Sequence, residues 1–255
     1  MGVGDFLERL RSGGVGQRIT GPPTSSNGAS SFHLFWDVPP TPLTEVGATI
    51  EVIEPPTVAQ LYFWALQTSF ETGGRRTGGA HFGLQHHPAY PDGGAVNWGG
   101  YHSGGGELEG SVSALPSALD NVNTRTYRWY PRRRYRYRIH RSPERGWRGT
   151  ITDLSSGGDT MVRDLWVEGD HLVAPMVWTE AFAHCDHPPA AVRWSDLEAV
   201  TVDGRTVAVE TVRVNYQSHP DGGCANTDIA VDGDGFVQRT ATARRAGTGA
   251  TLRLG

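Results

Sequence analysis

The residues whose types could do chemistry gather between Leu61 and His102, where imidazoles, side-chain amides and aromatic rings lie close together around little charge. His81, Gln85, His87, Asn97, Trp98, Tyr101 and His102 fall in this stretch, and Trp178, Glu180, His184 and Asn215 add the same kinds of group further on. Amides and imidazoles hydrogen-bond neutral hydroxyls, and aromatic rings cover the C–H faces of sugars. The predicted ligand-binding set is therefore Gln85, His87, Asn97, Trp98, Tyr101, His102, Trp178 and Asn215, for a carbohydrate or another small polar ligand.

Catalysis would need an ionisable group among them. Glu180 lies between Trp178 and Phe182 at period-two spacing and is the best single acid or base, with His81 or His184 as its partner. A glycosidase uses two carboxyl groups about the scissile bond, and the paired-acid strand motif Glu-x-Asp-x-x-Glu is absent. No Gly-x-Ser-x-Gly elbow, phosphate-cradling loop or dinucleotide fingerprint is present either. No cofactor is expected. His81 and His87 are about 20 Å apart on an extended strand and cannot ligate one ion together. His81 with Gln85, or His87 with His102 across a hairpin, could do so, and no metal is assigned.

Strands must position these groups. With 34 glycines and 16 prolines in 255 residues, the chain reads as short strands joined by turns. His81, Gly83, Gln85 and His87 alternate with Phe82, Leu84 and His86, so the apolar pair turns to a core and the imidazoles and amide to the opposite face. In Pro175 to Cys185, Trp178, Glu180, Phe182 and His184 share one face. Phe32, Leu34 and Trp36 alternate with His33, Phe35 and Asp37. In Tyr127 to Arg141 aromatic odd positions alternate with arginines, which predicts a strand pair broken near Pro131, its arginine face either solvated or binding anions. Ser117 to Asn123 and the segment capped by Ser195 are read as single helical turns, Val207 to Gln217 as one long strand, and Asp232 to Gly235 as a hairpin turn. About a dozen strands with this turn spacing predict an all-β jelly-roll sandwich.

Organisation follows. Residues 1–31 have the Gly, Pro, Ser and Thr content of a flexible N-terminal arm, 32–243 form one β-sandwich domain, and 244–255 are a C-terminal tail. A formal net charge of −4 argues against nucleic acid as a partner, and no apolar run is long enough to span a bilayer. All 23 basic residues are arginine. The first 19 residues lack an export signal's apolar stretch, so a cytoplasmic protein is expected, with secretion as the alternative. Cys185 and Cys224 are accordingly expected to be reduced thiols.

The order of Tyr62-Phe-Trp-Ala-Leu66, Ala80-His-Phe-Gly-Leu-Gln85, Tyr127-Arg-Trp-Tyr130, Tyr135-Arg-Tyr-Arg-Ile139 and Trp147-Arg-Gly-Thr-Ile-Thr-Asp153 resembles the bacterial domain-of-unknown-function 3472 family, over roughly residues 32–217. The resemblance implies a concanavalin-like β-sandwich of the kind found near carbohydrate-related modules, with no established reaction. His81 stands where that family has tyrosine.

Overall fold

The computed structural model describes residues 17–255. Seventeen strands follow in chain order: β1 (Ser30–Trp36), β2 (Leu43–Glu54), β3 (Tyr62–Thr72), β4 (Arg75–His86), β5 (Gly94–His102) and β6 (Ser117–Ala118). Next come β7 (Asn121–Thr126), β8 (Arg134–Arg141), β9 (Trp147–Asp153), β10 (Gly158–Leu165), β11 (His171–Ala181) and β12 (Ala191–Thr201). β13 (Thr206–Ala208), β14 (Thr211–Tyr216), β15 (Asp228–Asp232), β16 (Gly235–Arg239) and β17 (Thr251–Arg253) complete them. The protein is all-β, as the alternation predicts, and its one helical turn among the described residues is the 3₁₀ turn Pro91–Gly93.

Antiparallel pairing arranges the strands in two layers. The front runs β17-β14-β1-β11-β3-β4-β5-β7-β6. The back runs β15-β16-β12-β2-β8-β9-β10, with β13 beside the far half of β12. The layers join where Leu172 of β11 meets Leu43 of β2.

Period-two patterning decides which groups fill the space between them. Phe32 and Leu34, Trp64 and Leu66, Phe82 and Leu84, and Trp98 enter from the front, and Ile50, Tyr135, Tyr137, Ile139 and Trp194 from the back, all almost completely excluded from solvent. The Tyr137 hydroxyl crosses the core to accept the Leu84 amide at 2.7 Å, so this buried phenol does not lack a partner. Gly83 allows β3 and β4 their close approach, since a Cβ there would sit 1.9 Å from the Trp64 carbonyl oxygen.

The arginine face of β8 is neutralised by its neighbours. Arg134 pairs with Asp196 at 2.7 Å, Arg138 with Glu45 at 2.7 Å, and Arg136 with Glu198. The strip is thus a cross-strand ion-pair ladder on the outer face of the back sheet, its positive charge already matched.

Several local expectations are corrected. Ser117 to Asn123 is a tight hairpin, with Leu119 and Asp120 at positive φ, and no helical turn. Ser195 lies inside β12, where pairing to β2 outweighs the capping pattern and the irregularity survives as a bulge with Asp196 at φ 48°. The long strand expected over Val207 to Gln217 is split into β13 and β14, and Tyr127 to Arg133 stays outside any strand. Asp232 to Gly235 is the predicted hairpin turn.

Residues 17–29, expected to belong to a flexible arm, are fastened to the domain. Arg18 accepts the Ala225 amide at 2.7 Å, Gly21 accepts that of Cys185 at 2.8 Å, and the Thr24 amide donates to Gly222 at 3.1 Å. These bonds are made by main-chain atoms, which composition does not report. The expected short helix at Asp5 to Arg11 lies outside the described residues. The tail also docks: β17 pairs with β14, and Arg245 reaches the buried Asp228 at 2.9 Å. Cys185 and Cys224 form a disulfide with Cα atoms 5.5 Å apart, correcting the reduced state expected for them. No helix among the described residues is long and apolar enough to cross a membrane.

Candidate functional site

The outward face of the front sheet carries three registered rows of side chains. One reads Gln217, Ser31, Glu180, Phe63, Gln85 and Ala95 across β14 to β5. The next reads Asn215, His33, Trp178, Ala65, Gly83 and Asn97, and the third Arg213, Phe35, Met176, Gln67, His81 and Gly99. Within these rows the only residues with formal charge are Glu180, inside the first row, and Arg213, at the end of the third.

Trp178 is at the centre. Its Nε1 donates to Gln67 Oε1 at 2.9 Å, and its ring packs edge-on against Phe63 at 4.9 Å and His81 at 5.9 Å between centroids. His33 approaches from the other side at 6.4 Å. Trp178 is 6% exposed, so it serves as a wall and its ring is not a free stacking platform. Burial holds both imidazoles neutral, at pKa values of about 4 for His33 and about 4 for His81. For His33 a hydrogen bond at the Asn215 backbone opposes the shift.

Burial acts in the opposite sense on Glu180 and raises its carboxyl above the ordinary range, against the hydrogen bond that Asn27 Nδ2 donates to Oε1 at 2.9 Å. Asn27 belongs to the fastened segment 17–29, so that segment finishes the environment of the one acid in these three rows.

The histidine shifts set an acid-side stability profile. Both folded pKa values lie below the ordinary 6.5, so the unfolded chain binds more protons between about 6.5 and about 4. Stability is therefore complete above that window and is lost as pH falls through it. Urea unfolding from pH 7.5 to 4.5 should show this loss, with a shallower slope in His33→Gln/His81→Gln. An identical slope in the double variant would contradict the assignment.

A cleft of about 1390 Å³ adjoins the face at its β14 edge, lined by Ser31, His33, Asn215, Gln217, Asn226 and Arg244 among others. His33 Nδ1 and Asn226 Oδ1 are buried there without a hydrogen-bond partner among the described residues. Arg244 stacks 3.7 Å over the Tyr216 ring and donates to the Cys224 and Thr227 carbonyls, so it is a fixed part of the wall. The disulfide reaches the cleft through Cys224.

Of the predicted residues, Glu180, His81, Trp178, Gln85 and Asn97 share the outward face, and Asn215 links it to the cleft. Gln85 is buried and accepts from Tyr90, and Asn97 is buried and donates to Thr124. Tyr101, on the same side of β5, is exposed beyond the rows, registered with Gly79.

Others stand elsewhere. Trp98 pairs with Phe82 and points inward, wholly buried, so it cannot stack a ligand. Its parity already sets it opposite Asn97. His184 lies past the end of β11 in an exposed turn, its ring stacked on His187 at 4.6 Å, and does not share the face of Glu180. His87 follows the end of β4, where its Nδ1 accepts the Ala89 amide. His102 lines a separate cleft with Glu107, Glu109 and Glu168. β4 and β5 place His102 opposite Gly78 and His86 opposite Gly94, so His87 and His102 sit at opposite ends of the hairpin and cannot share an ion. His81 and Gln85 are separated by about 13 Å of strand. Among the described residues no group of three or more His, Cys, Asp or Glu is placed to hold a metal.

Sequence reasoning missed Ser31, His33, Gln67, Gln217 and Asn27. The alternation of β1 carried the signal for the first two, since an inward Phe32, Leu34 and Trp36 leave Ser31 and His33 facing out.

No protein-family model matches the chain, and no curated protein sequence matches it. Among solved structures it is similar to scytalido-glutamic peptidase with a peptide-based transition state analog, at 12% identity and a TM-score of 0.43 over 87% of this chain and 98% of that one. It is also similar to SCP-B, a member of the Eqolisin family of peptidases in complex with the tripeptide Ala-Ile-His, at 11% identity and a TM-score of 0.42 over the same shares. Similarity of this degree says nothing about the chemistry of this chain.

Proposed function

We propose that the outward face of the front sheet and the cleft beside it bind a neutral, hydroxyl-rich ligand of carbohydrate type. The observation that carries this reading is the row pattern itself: amides, neutral imidazoles and one serine, with a single carboxyl, opening onto a large cleft. Such groups exchange hydrogen bonds with hydroxyls and offer a charged ligand no matching array. The aromatic contribution comes from Phe35 and the edges of the Trp178 cluster, since Trp98 is in the core. The resemblance to a family found near carbohydrate-related modules points the same way. The disulfide supports a place in an oxidising compartment, hence the secreted alternative.

A second reading, hydrolysis of the bound ligand, is favoured by the raised carboxyl of Glu180, which keeps its proton to higher pH and suits a general acid. The two readings separate in one set of measurements. A glycan array followed by calorimetry is expected to find a saccharide ligand whose affinity drops about tenfold or more, roughly 1.4 kcal/mol, in His33→Ala and Asn215→Ala. Glu180→Gln should keep that affinity, and should abolish turnover if hydrolysis occurs. Absence of any saccharide binding to the wild-type protein would sink the carbohydrate reading.

A further inference from the structure

The two layers come together near β7 and β10, and each sends an arginine into the space between them. Arg125 of β7 is registered with Val96, a core residue, so its side chain runs inward. Arg163 of β10 is registered with Gly149, whose own Cβ direction meets Phe82 and Trp98, so it too runs inward. They are 7% and 2% exposed.

Both residues are thereby largely withdrawn from water, and few of their ten guanidinium N–H groups find acceptors among the described residues. Arg163 Nη1 donates to the Val122 carbonyl and to Asn123 Oδ1, each at 2.9 Å, and Arg125 Nη1 donates to Ser117 Oγ at 2.7 Å. Both Nε atoms are buried without a partner among the described residues. Neither arginine has a carboxylate within ion-pair distance among the described residues. The acids near them are otherwise engaged: Asp164 holds Arg148 at 2.8 Å, and Glu107 accepts from the far end of the Asn123 amide at 3.3 Å. Burial pushes both guanidinium groups below their ordinary pKa, and the charge of Arg125 adds to the effect on Arg163.

Two like charges buried together without a counter-charge are strongly unfavourable, and a packed interior normally answers them with an ion or an acid. We infer that Arg125 and Arg163 form an anion site at the β7–β10 end of the sandwich, taking a chloride-sized ion. Packing sets the size. A Cβ at Gly110 would fall 2.5 Å from Arg163 Nη2, so the Gly110 main chain, bridged to Leu165, packs closely on that guanidinium and leaves room there for a small ion only. The site is separate from the proposed ligand face and does not depend on that reading.

Thermal unfolding in sodium chloride and in sodium gluconate at matched ionic strength tests this, because gluconate is too large to enter. Above the dissociation constant, each tenfold rise in chloride should multiply the folded-to-unfolded ratio about tenfold and raise Tm by roughly 3–5 °C. The chloride increment should vanish in Arg163→Gln and shrink in Arg125→Gln. Should either variant fail to fold, crystals soaked in bromide give the second measurement, an anomalous peak between the two guanidinium groups. Equal Tm values in the two salts, an increment that persists in both variants, or bromide peaks only elsewhere would each overturn the site.

Discussion

Replacing Cys185 and Cys224 together by alanine is expected to lower unfolding free energy by roughly 4 kcal/mol, the loop-closure value for the separation of 39 residues that the bond spans. The bond holds two loops that carry little regular structure. One follows β11 and the other follows β14, and the segment 17–29 lies across both through the bonds to Cys185, Gly222 and Ala225. Loss of the bond should therefore loosen three pieces of chain, and with them the contact between Asn27 and Glu180. Urea unfolding of the wild type, with and without a reductant, and of the double variant would measure it. A midpoint unchanged by either treatment would mean that the loops are held by their hydrogen bonds alone.

Trp98→Ala is expected to cost a similar amount, about 3–5 kcal/mol, as for other large aromatic residues removed from close-packed cores. Trp98 is fully buried, edge-on to Phe82 at 5.7 Å, with its Nε1 3.4 Å from the Trp147 carbonyl. The slope of free energy against urea should stay near the wild-type value, because the surface exposed on unfolding hardly changes. Ligand affinity of the fraction that remains folded should also be unchanged, unlike that of Asn215→Ala. A stable Trp98→Ala protein that no longer bound its ligand would return Trp98 to the binding face.

The contrast between Trp98 and its neighbours shows how far the sequence could be read. Alternation in β1, β4 and β8 announced which side chains face the core, and these strands have the predicted parity. The cluster from Leu61 to His102 looked like one site because its residues are close in sequence, yet strand geometry sends Asn97 and Trp98 to opposite faces. Applying period two to β5 as strictly as to β4 would have removed Trp98. Other features had no local signal. Ser195-Asp-Leu reads as a helix cap, and only pairing of β12 to β2 makes it strand. The docking of residues 17–29 depends on main-chain atoms, and the disulfide on loops far apart in sequence that the sandwich brings together. Glu180 was legible as an acid between aromatics, whereas its contact with Asn27 was not.

The position of β1 bears on how such a chain can come to be folded at all. β3, β4 and β5 are consecutive hairpins and can pair as soon as they leave the ribosome. β1 lies between β11 and β14, strands that begin at His171 and Thr211. This first of the described strands must therefore wait for most of the chain, and the hairpin edge at β3 stays unpaired until β11 arrives. A topology dominated by such distant pairings folds slowly and leaves sticky edges open meanwhile. Refolding yield should thus depend steeply on protein concentration, and truncation before β14 should leave β1 with one of its two partners missing.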